Sequence, residues 1–419
     1  MAFYVLAGDL FNFLARGPSA LTVSDENPLY PATRLYDGRP EEEFRFLTNG
    51  ADRMLTKDLN EIPNGGFETS TLDGWIESSV GSSNAGTEEV TTVNSGAKAL
   101  RLTLTTAGGS NYASRYRDIT VRAGEARTIS AALRGSGTVS ARIRIQCLET
   151  GYFLTSGAAW QSAATDCLTR ATASYATSSV PYTTQSLATV RGSLCTLRIR
   201  AIATEASATG VVYVDDVYDW PSWDFLSVHG HNLGPVACEL RSSTDAFVGV
   251  DTLEATATIA QPTFYSRLGA PIARRYVRVK LAGTNHQTIR LGEVVVGYAL
   301  SAARNPRQGY TEGTLWPGTV MVGPGRSRWT RALSDHALRT YLLQFRYWTG
   351  AHHQEARDEI IRRCRVNLSP LVMVVESTRP DVIYGSIDTG TWEVQRSIGS
   401  TWEPGDLAIA EWPLAAEAM

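Results

Sequence analysis

The sequence predicts a mainly β fold in which one β-sandwich is nested inside another and an α+β domain follows at the C-terminus. Short runs alternate apolar and polar residues with a period of two, the spacing of half-buried strands. A Thr-, Ser- and Ala-rich stretch, residues 61–220, separates two segments of similar strand-rich character. Helical spacing of apolar residues begins only after residue 306.

The stretch 61–220 carries the clearest strand pattern. Ala99–Leu104, Ala141–Ile145 and Leu197–Ile202 alternate, with arginines on the polar positions. Such strands form antiparallel sheets that bury one face and turn the other to water. Because helical patterning is absent here, the pattern predicts a jelly roll. Part of residues 155–190, rich in Ser, Thr and Ala, also fits a flexible loop.

The segments on either side of this stretch predict a second, discontinuous sandwich, residues 1–60 and 221–300. After Trp223 the alternation resumes in Phe225–Gly234, Tyr276–Leu281 and Ile289–Gly297. The chain would leave this sandwich near Asn60 and return near Trp223, an insertion that folds tolerate because domain termini usually lie close together.

Residues 301–419 predict the α+β domain. Ser334–Tyr347 reads as a helix because Ser334 suits an N-cap and four apolar residues after it share one helical face. A second helix is predicted from Gln354 to about Arg365, and Leu371–Val375 reads as a buried strand. Further short strands follow to the C-terminus.

Composition excludes some classes of protein. The 419 residues are 43% hydrophobic and 19% charged with a formal net charge of −3, which argues against nucleic acid as the main partner. The five cysteines are odd in number and lack zinc-type spacing, so we expect buried thiols made in a reducing compartment.

Targeting signals are also missing from the sequence. The N-terminus has no basic region and Asp9 interrupts its apolar run, which disfavours a secretory signal. No apolar stretch approaches the roughly 18 to 20 residues that span a bilayer. We therefore expect a soluble protein that, if it works outside a cell, is carried there by an assembly or by lysis.

Two motifs carry a family resemblance. Asn64–Glu68, followed by Gly74-Trp75, and Val212–Val217 resemble the first and last strands of a carbohydrate-binding β-sandwich module. Leu35–Phe46, with its Asp37-Gly38 turn, resembles the opening of discoidin-like galactose-binding domains, which Tyr276–Leu281 and Ile289–Gly297 would complete. The resemblance implies two nested jelly-roll or galactose-binding-like sandwiches.

The first resemblance implies a sugar site built from aromatic rings, because a pyranose packs its flat C–H face on Trp or Tyr. The aromatic residues available in the stretch are Trp75, Tyr112, Tyr116, Tyr152, Trp160, Tyr175 and Tyr182. We select Trp160, Tyr152, Tyr112 and Trp75 as candidate sugar contacts, although Trp75 also suits the core.

The same resemblance implies a structural calcium between the first and last strands. Glu68 and Asp216 are the candidate ligands, since Asp215 and Asp216 point to opposite faces of a strand. The alternative is that these are surface or turn carboxylates without metal. His229 and His231 share a strand face but lack further ligands, so we expect them to be structural.

The order of elements after residue 330 resembles C-terminal parts of minor tail and baseplate proteins of long-tailed bacteriophages. It places a helix before Pro370–Val374, then Ile383–Gly385 and Asp406–Glu411. The resemblance implies a distal tail or baseplate component of the virion, assembled in the cytoplasm of the host bacterium. Its partners would be other tail proteins, identical subunits in a symmetric ring, and glycans of the host surface, without nucleic acid or membrane insertion.

No catalytic constellation is readable. The sequence has no Gly-x-Ser-x-Gly elbow, Walker loop or zincin helix, so we name no catalytic residues and expect a protein that is not an enzyme. Two alternatives stay open. One is a polysaccharide-degrading enzyme with accessory binding modules, and the other is a purely structural tail protein whose inserted module binds no sugar.

Overall fold

The computed structural model describes residues 4–7, 11–37, 42–47, 52–69, 72–108, 110–191, 193–205, 207–232, 236–259, 263–282 and 289–301, with short strands between 311 and 411. The fold is mainly β, as the sequence predicts, and every strand pairing in the described part of the chain is antiparallel. No helix in this part is long and apolar enough to cross a membrane.

Two sheets face each other in the stretch with the clearest strand pattern, residues 61–220. We call this unit the middle sandwich. The larger sheet runs, in spatial order, Trp160–Gln161, Phe153–Leu154, Ala141–Cys147, Leu194–Ala203, Ala113–Arg122 and Ile76–Glu77, with Leu168–Arg170 also on Ala141–Cys147. The smaller sheet runs Ala176–Thr183, Ala126–Arg134, Gly210–Pro221, Ala99–Leu104 and Ala85–Glu89. A short helix, Leu187–Val190, connects the sheets.

The core of the middle sandwich draws only on residues between Ile62 and Val217. Burial alternates strictly along Ala141–Cys147, where Arg142, Arg144 and Gln146 face outward between buried neighbours. The alternation therefore predicts these strands correctly.

The two family motifs of this sandwich lie against each other. The backbone N–H of Val217 donates to the Gly65 carbonyl at 2.9 Å, next to a bulge where Asp216 takes a positive φ of 51°. A Cβ on Gly65 would lie 1.9 Å from the carbonyl oxygen of Val217, so only glycine allows this approach.

The second sandwich, here the flanking sandwich, combines strands from before and after the middle one. Its five-stranded sheet runs Thr252–Ile259, Val236–Ser243, Tyr276–Ala282, Arg53–Asp58 and Thr22–Val23. Its other strands are Thr263–Ile272, Trp223–His229 and Glu293–Gly297, with the pair Arg290–Leu291 and Phe44–Arg45. Short 3-10 helices cover Phe13–Ala15 and Ala32–Leu35.

A third sheet joins both ends of the chain. It runs Leu300–Ser301, Tyr4–Ala7, Leu371–Val374, Ile383–Ile387, Leu407–Glu411, Leu338–Leu343 and Thr311–Leu315. After residue 310, two more pairs of described strands form hairpins outside this sheet: Gly318–Val322 with Arg328–Ala332, and Val394–Arg396 with Trp402–Pro404. Strand Tyr4–Ala7 thus belongs to this sheet and not to the flanking sandwich.

One sequence prediction in this region is wrong. Leu338–Leu343 is a strand, not part of the helix predicted for Ser334–Tyr347, because it pairs on one side with Thr311–Leu315 and on the other with Leu407–Glu411. The strand prediction at Leu371 is confirmed, over Leu371–Val374. The helix predicted from Gln354 lies outside the described residues.

Both residues of the histidine pair, which we predicted to be structural, are buried. His229 hydrogen bonds Ser227 through Nε2 at 2.9 Å, and its ring meets Tyr384 of the third sheet at 5.1 Å between centroids. His231 is also buried, and burial lowers its pKa to about 4. The described cysteines, Cys147, Cys167, Cys195 and Cys238, are buried free thiols.

Candidate functional site

The outer face of the larger sheet of the middle sandwich gathers arginines and aromatic rings. Antiparallel register sets Arg144, Arg200 and Tyr116 side by side across three strands, and Gln146, Arg198 and Asp118 in the next row. Directly paired residues project to the same side of a sheet. We call this surface the arginine face; its residues are Tyr112, Tyr116, Asp118, Arg142, Arg144, Gln146, Phe153, Arg198 and Arg200.

Aromatic rings lie directly beside the guanidinium groups. The Arg198 guanidinium carbon lies 4.1 Å from the centroid of Tyr116. Arg200 lies between two rings, at 5.7 Å from Tyr112 and 5.8 Å from Tyr116. Cation–π contacts of this kind hold a long side chain in place while leaving its N–H groups exposed at the ring edge.

Most arginines of the face have carboxylate partners. Arg198 forms a two-pronged pair with Asp118, at 2.9 and 2.8 Å. Arg142 and Arg144 share Asp166, at 3.3 and 2.8 Å. Arg200 differs: among the described residues no carboxylate lies within ion-pair distance of it, and its contacts are the two tyrosine rings.

The structure divides the predicted sugar contacts. Tyr112 borders the arginine face through Arg200. Tyr152 is 41% exposed and directly precedes Phe153, a residue of the arginine face. Trp160 is half-buried against the core and donates its indole N–H to the Thr183 carbonyl at 2.7 Å. Sugar contact at Tyr112, Tyr152 and Trp160 stays a prediction.

Trp75 is corrected. Its side chain is 2% exposed, packs on Phe67 at 5.1 Å between centroids, and donates its indole N–H to the Asn64 carbonyl. A ring enclosed on both faces by the core offers no surface to a sugar, so Trp75 stabilises the sandwich instead.

Glu68 and Asp216, the predicted calcium ligands, both lie near Gly66 but already accept hydrogen bonds. Glu68 accepts from the backbone N–H of Ala97 at 2.9 Å, and Asp216 accepts from the side chains of Asn94 and Ser95 at 2.8 Å. No group of three or more metal-binding side chains occurs in the described part of the chain. The carboxylate oxygens accept hydrogen bonds from residues 94–97, whereas a calcium ion would need their lone pairs. Glu68 and Asp216 therefore fit residues that fix this loop better than they fit calcium ligands.

A second charged region lies where the middle and flanking sandwiches meet, and we call it the junction cluster: Arg16, Glu61, Glu125, Arg127 and Asp219. Arg127 contacts Asp219 at 2.5 Å, Glu61 at 2.7 Å and also Glu125. Arg16 contacts Glu61 and, at 2.6 Å, Glu125. All five side chains are buried.

Two carboxyl groups of the cluster, Glu125 and Asp219, have pKa values shifted in opposite directions. Burial opposes the charge of Glu125, but Arg16 and Arg127 outweigh it and lower the pKa of Glu125 to about 2. For Asp219 burial wins over Arg127 and raises its pKa to about 6. Tyr182 donates to the same carboxylate at 2.5 Å.

A cleft of about 300 Å³ adjoins both regions. Its walls are the segment Ala15–Gly17 of the flanking sandwich and residues Arg117–Thr120 at the free edge of the larger sheet. Asp118 therefore borders the cleft on one side and pairs with Arg198 of the arginine face on the other.

Sequence reasoning did not select the residues that dominate the face. Arg144, Arg198 and Arg200 were visible as the polar positions of alternating strands, and Tyr116 was among the available aromatic residues. The order of strands within a sheet cannot be read from the sequence. The sequence therefore did not show that these residues share one surface.

No family model matches this chain, and no curated protein matches it. Among solved structures, TmCBM61 in complex with β-1,4-galactotriose is 14% identical, with a TM-score of 0.27, over 39% of this chain and 98% of the module. The CBM22-1 xylan-binding domain of Xyn10C from Paenibacillus barcinonensis is 14% identical, with a TM-score of 0.25, over 38% of this chain and 91% of the domain.

A phage protein is also among the structural neighbours. The enzymatically active domain of tailspike protein 4 from bacteriophage CBA120 is 14% identical, with a TM-score of 0.28. The match covers 39% of this chain but 21% of the tailspike chain. This chain therefore resembles a small part of that protein only.

Proposed function

We propose that this protein is a non-catalytic attachment protein that binds glycans through the arginine face of its middle sandwich. The observation that carries the proposal is the row of Arg144, Arg200 and Tyr116 on an outward sheet face, with Tyr112 and Phe153 beside it. Aromatic rings offer the flat apolar surface that a pyranose packs on, and guanidinium donors bond its hydroxyls.

The chemistry of the face suits binding and not bond cleavage. The carboxylates beside its arginines are all held in ion pairs: Asp118, Asp166 and Glu205. A glycosidase needs one carboxyl group with a raised pKa to protonate the leaving oxygen and a second as nucleophile or base. The carboxylates nearest the face are instead occupied by its guanidinium groups, which supports binding over cleavage.

Binding to single sugars would be weak, and repetition would strengthen it. The resemblance of the C-terminal segment to tail proteins supports a location at the distal tail or baseplate of a phage, in a ring of identical subunits with other tail proteins as partners. Several modules that contact one surface raise the apparent affinity by roughly 10²- to 10⁴-fold over one module.

Glycan binding is tested by titrating the full chain against a broad panel of bacterial surface polysaccharides by calorimetry. We expect saturable binding that Tyr116→Ala weakens. Tyr213→Ala is the matched control, because Tyr213 also lies under an arginine, Arg134, but on the other sheet. Flat isotherms across the panel with a folded protein would refute the binding proposal.

The location is tested separately by immunogold electron microscopy of lysate from a culture that produces the protein natively. Label at the distal ends of phage tails is the expected result. Label on cell surfaces or free in the medium contradicts the tail location and leaves glycan binding to be judged on the titration alone.

A further inference from the structure

We infer that the arginine face selects polysaccharides that bear carboxylate groups, and that Arg200 is the residue that recognises the carboxylate. The inference rests on the proposed glycan binding and names the class of glycan. Among the described residues, the arginines of the face outnumber the carboxylates within ion-pair distance of them.

The face holds one more cation than nearby anion. Its arginines are Arg142, Arg144, Arg198 and Arg200. The carboxylates within ion-pair distance of them are Asp118, Asp166 and Glu205. Asp166 serves two arginines at once, and Arg200 has no carboxylate partner in the part of the chain that the structure describes.

The position of Arg200 makes this imbalance costly. Arg200 is the direct cross-strand partner of Arg144, and like charges opposite each other on a sheet repel. A native sequence could remove the repulsion with a carboxylate on the adjoining strand, but Tyr116 occupies that position. A carboxylate supplied by a ligand would relieve it.

The geometry of the row also fits the covalent structure of an acidic sugar. A hexuronic acid carries its carboxylate directly on the pyranose ring, so ring and charge lie side by side. Tyr116 would take the ring and Arg200, next to it, the carboxylate. Guanidinium matches a planar carboxylate with two parallel N–H donors, which an ammonium group cannot do.

The test uses the full chain and pairs of polymers that differ only in charge. Polygalacturonate, alginate and hyaluronate are each titrated beside their carboxyl-reduced forms at one ionic strength. We expect the acidic form to bind at least about tenfold more tightly than its reduced form for at least one pair, because a hydrogen bond to a charged group is worth at least about one tenfold step.

Three variants identify the residue. Arg200→Gln should weaken binding of the acidic polymer at least about tenfold more than binding of the reduced one, and so remove the preference between them. Arg200→Lys should recover only part of that preference. Arg134→Gln is the control for lost net charge, since Arg134 also stacks on a tyrosine, Tyr213, but on the other sheet. Thermal melting of each variant confirms that it is folded.

The outcomes separate the two proposals. Equal binding of acidic and reduced forms overturns the inference but leaves glycan binding standing. A preference that Arg134→Gln reduces as much as Arg200→Gln also overturns it, because the effect is then one of overall charge. Binding to no polymer, here and in the broad panel, refutes glycan binding itself and the inference with it.

Discussion

Arg127 and Arg200 lie on strands of the same sandwich and meet opposite electrostatic conditions. Arg127 is 1% exposed and contacts three carboxylates, Glu61, Glu125 and Asp219. Arg200 lies on the water-facing side of the other sheet without a carboxylate partner among the described residues. A buried charge must be paired because its desolvation costs several kcal/mol, whereas water solvates an exposed one and leaves it free for a ligand. The comparison supports a stabilising role for the junction cluster, and it agrees with the recognition role that we propose for the arginine face.

The strongest test of this division is Arg127→Met. It leaves Asp219 without a described cation and leaves Glu61 and Glu125 with Arg16 alone. Breaking a buried pair in this way costs about 3 to 5 kcal/mol. We expect the free energy of unfolding, from urea denaturation, to fall by that amount. The counterpart Arg134→Met, at a half-buried arginine of the same strand, should change it by less than about 0.5 kcal/mol. A loss below about 1 kcal/mol for Arg127→Met would show that the cluster contributes little.

The second test concerns pH. The pKa of Glu125 in the folded protein, about 2, lies below its ordinary value of 4.5. Its contribution to stability is therefore present above pH 4.5 and is lost as the pH falls towards 2. We expect Glu125→Gln to flatten the acid limb of the stability curve, measured by denaturation at a series of pH values.

Asp219 should act in the opposite sense over a different range. Its raised pKa, about 6 against an ordinary 3.8, means that its contribution is present below pH 3.8 and lost as the pH rises through 6. Asp219→Asn should remove that part of the curve and leave the acid limb. If both variants change the same range, the carboxyl groups do not titrate separately.

The third test concerns glycan binding by the arginine face. Tyr116→Ala should weaken glycan binding roughly tenfold, because about 60 Å² of apolar contact at 25 cal/mol per Å² corresponds to about one tenfold step. Tyr152→Ala, at the edge of the face, should weaken it less. Both should leave the melting temperature nearly unchanged. A large fall in stability with unchanged binding would assign the ring to the core.

The smallest effect should come from calcium. Because the 94–98 loop already donates to Glu68 and Asp216, we expect millimolar calcium or a chelator to shift the melting temperature by less than about 1 °C, in contrast with the gain that a site binding only the folded state gives. A rise of several degrees, lost in Asp216→Asn, would restore the calcium prediction.

Much of the fold was readable from the sequence because period-two alternation is a local property. Ala141–Cys147 and Leu194–Ala203 follow it residue by residue. The apolar residues of Leu338–Leu343 fitted a helical face equally well, and only pairing with strands on both sides made this segment a strand. Short apolar runs are ambiguous by themselves, since neighbours far along the chain supply their hydrogen bonds.

The sequence by itself determined the strand character of the chain, its buried thiols and the placing of arginines on one side of their strands. Tertiary structure decided which of those arginines are buried with partners and which face water without one. Glu61 reaches Arg127 across 66 positions, and Arg200 meets Tyr116 across 84. Charge pairing depends on distance in space, and strand order sets that distance. The same residue type is therefore paired and buried at the junction and left without a described carboxylate partner on the face, where we propose that it binds a ligand.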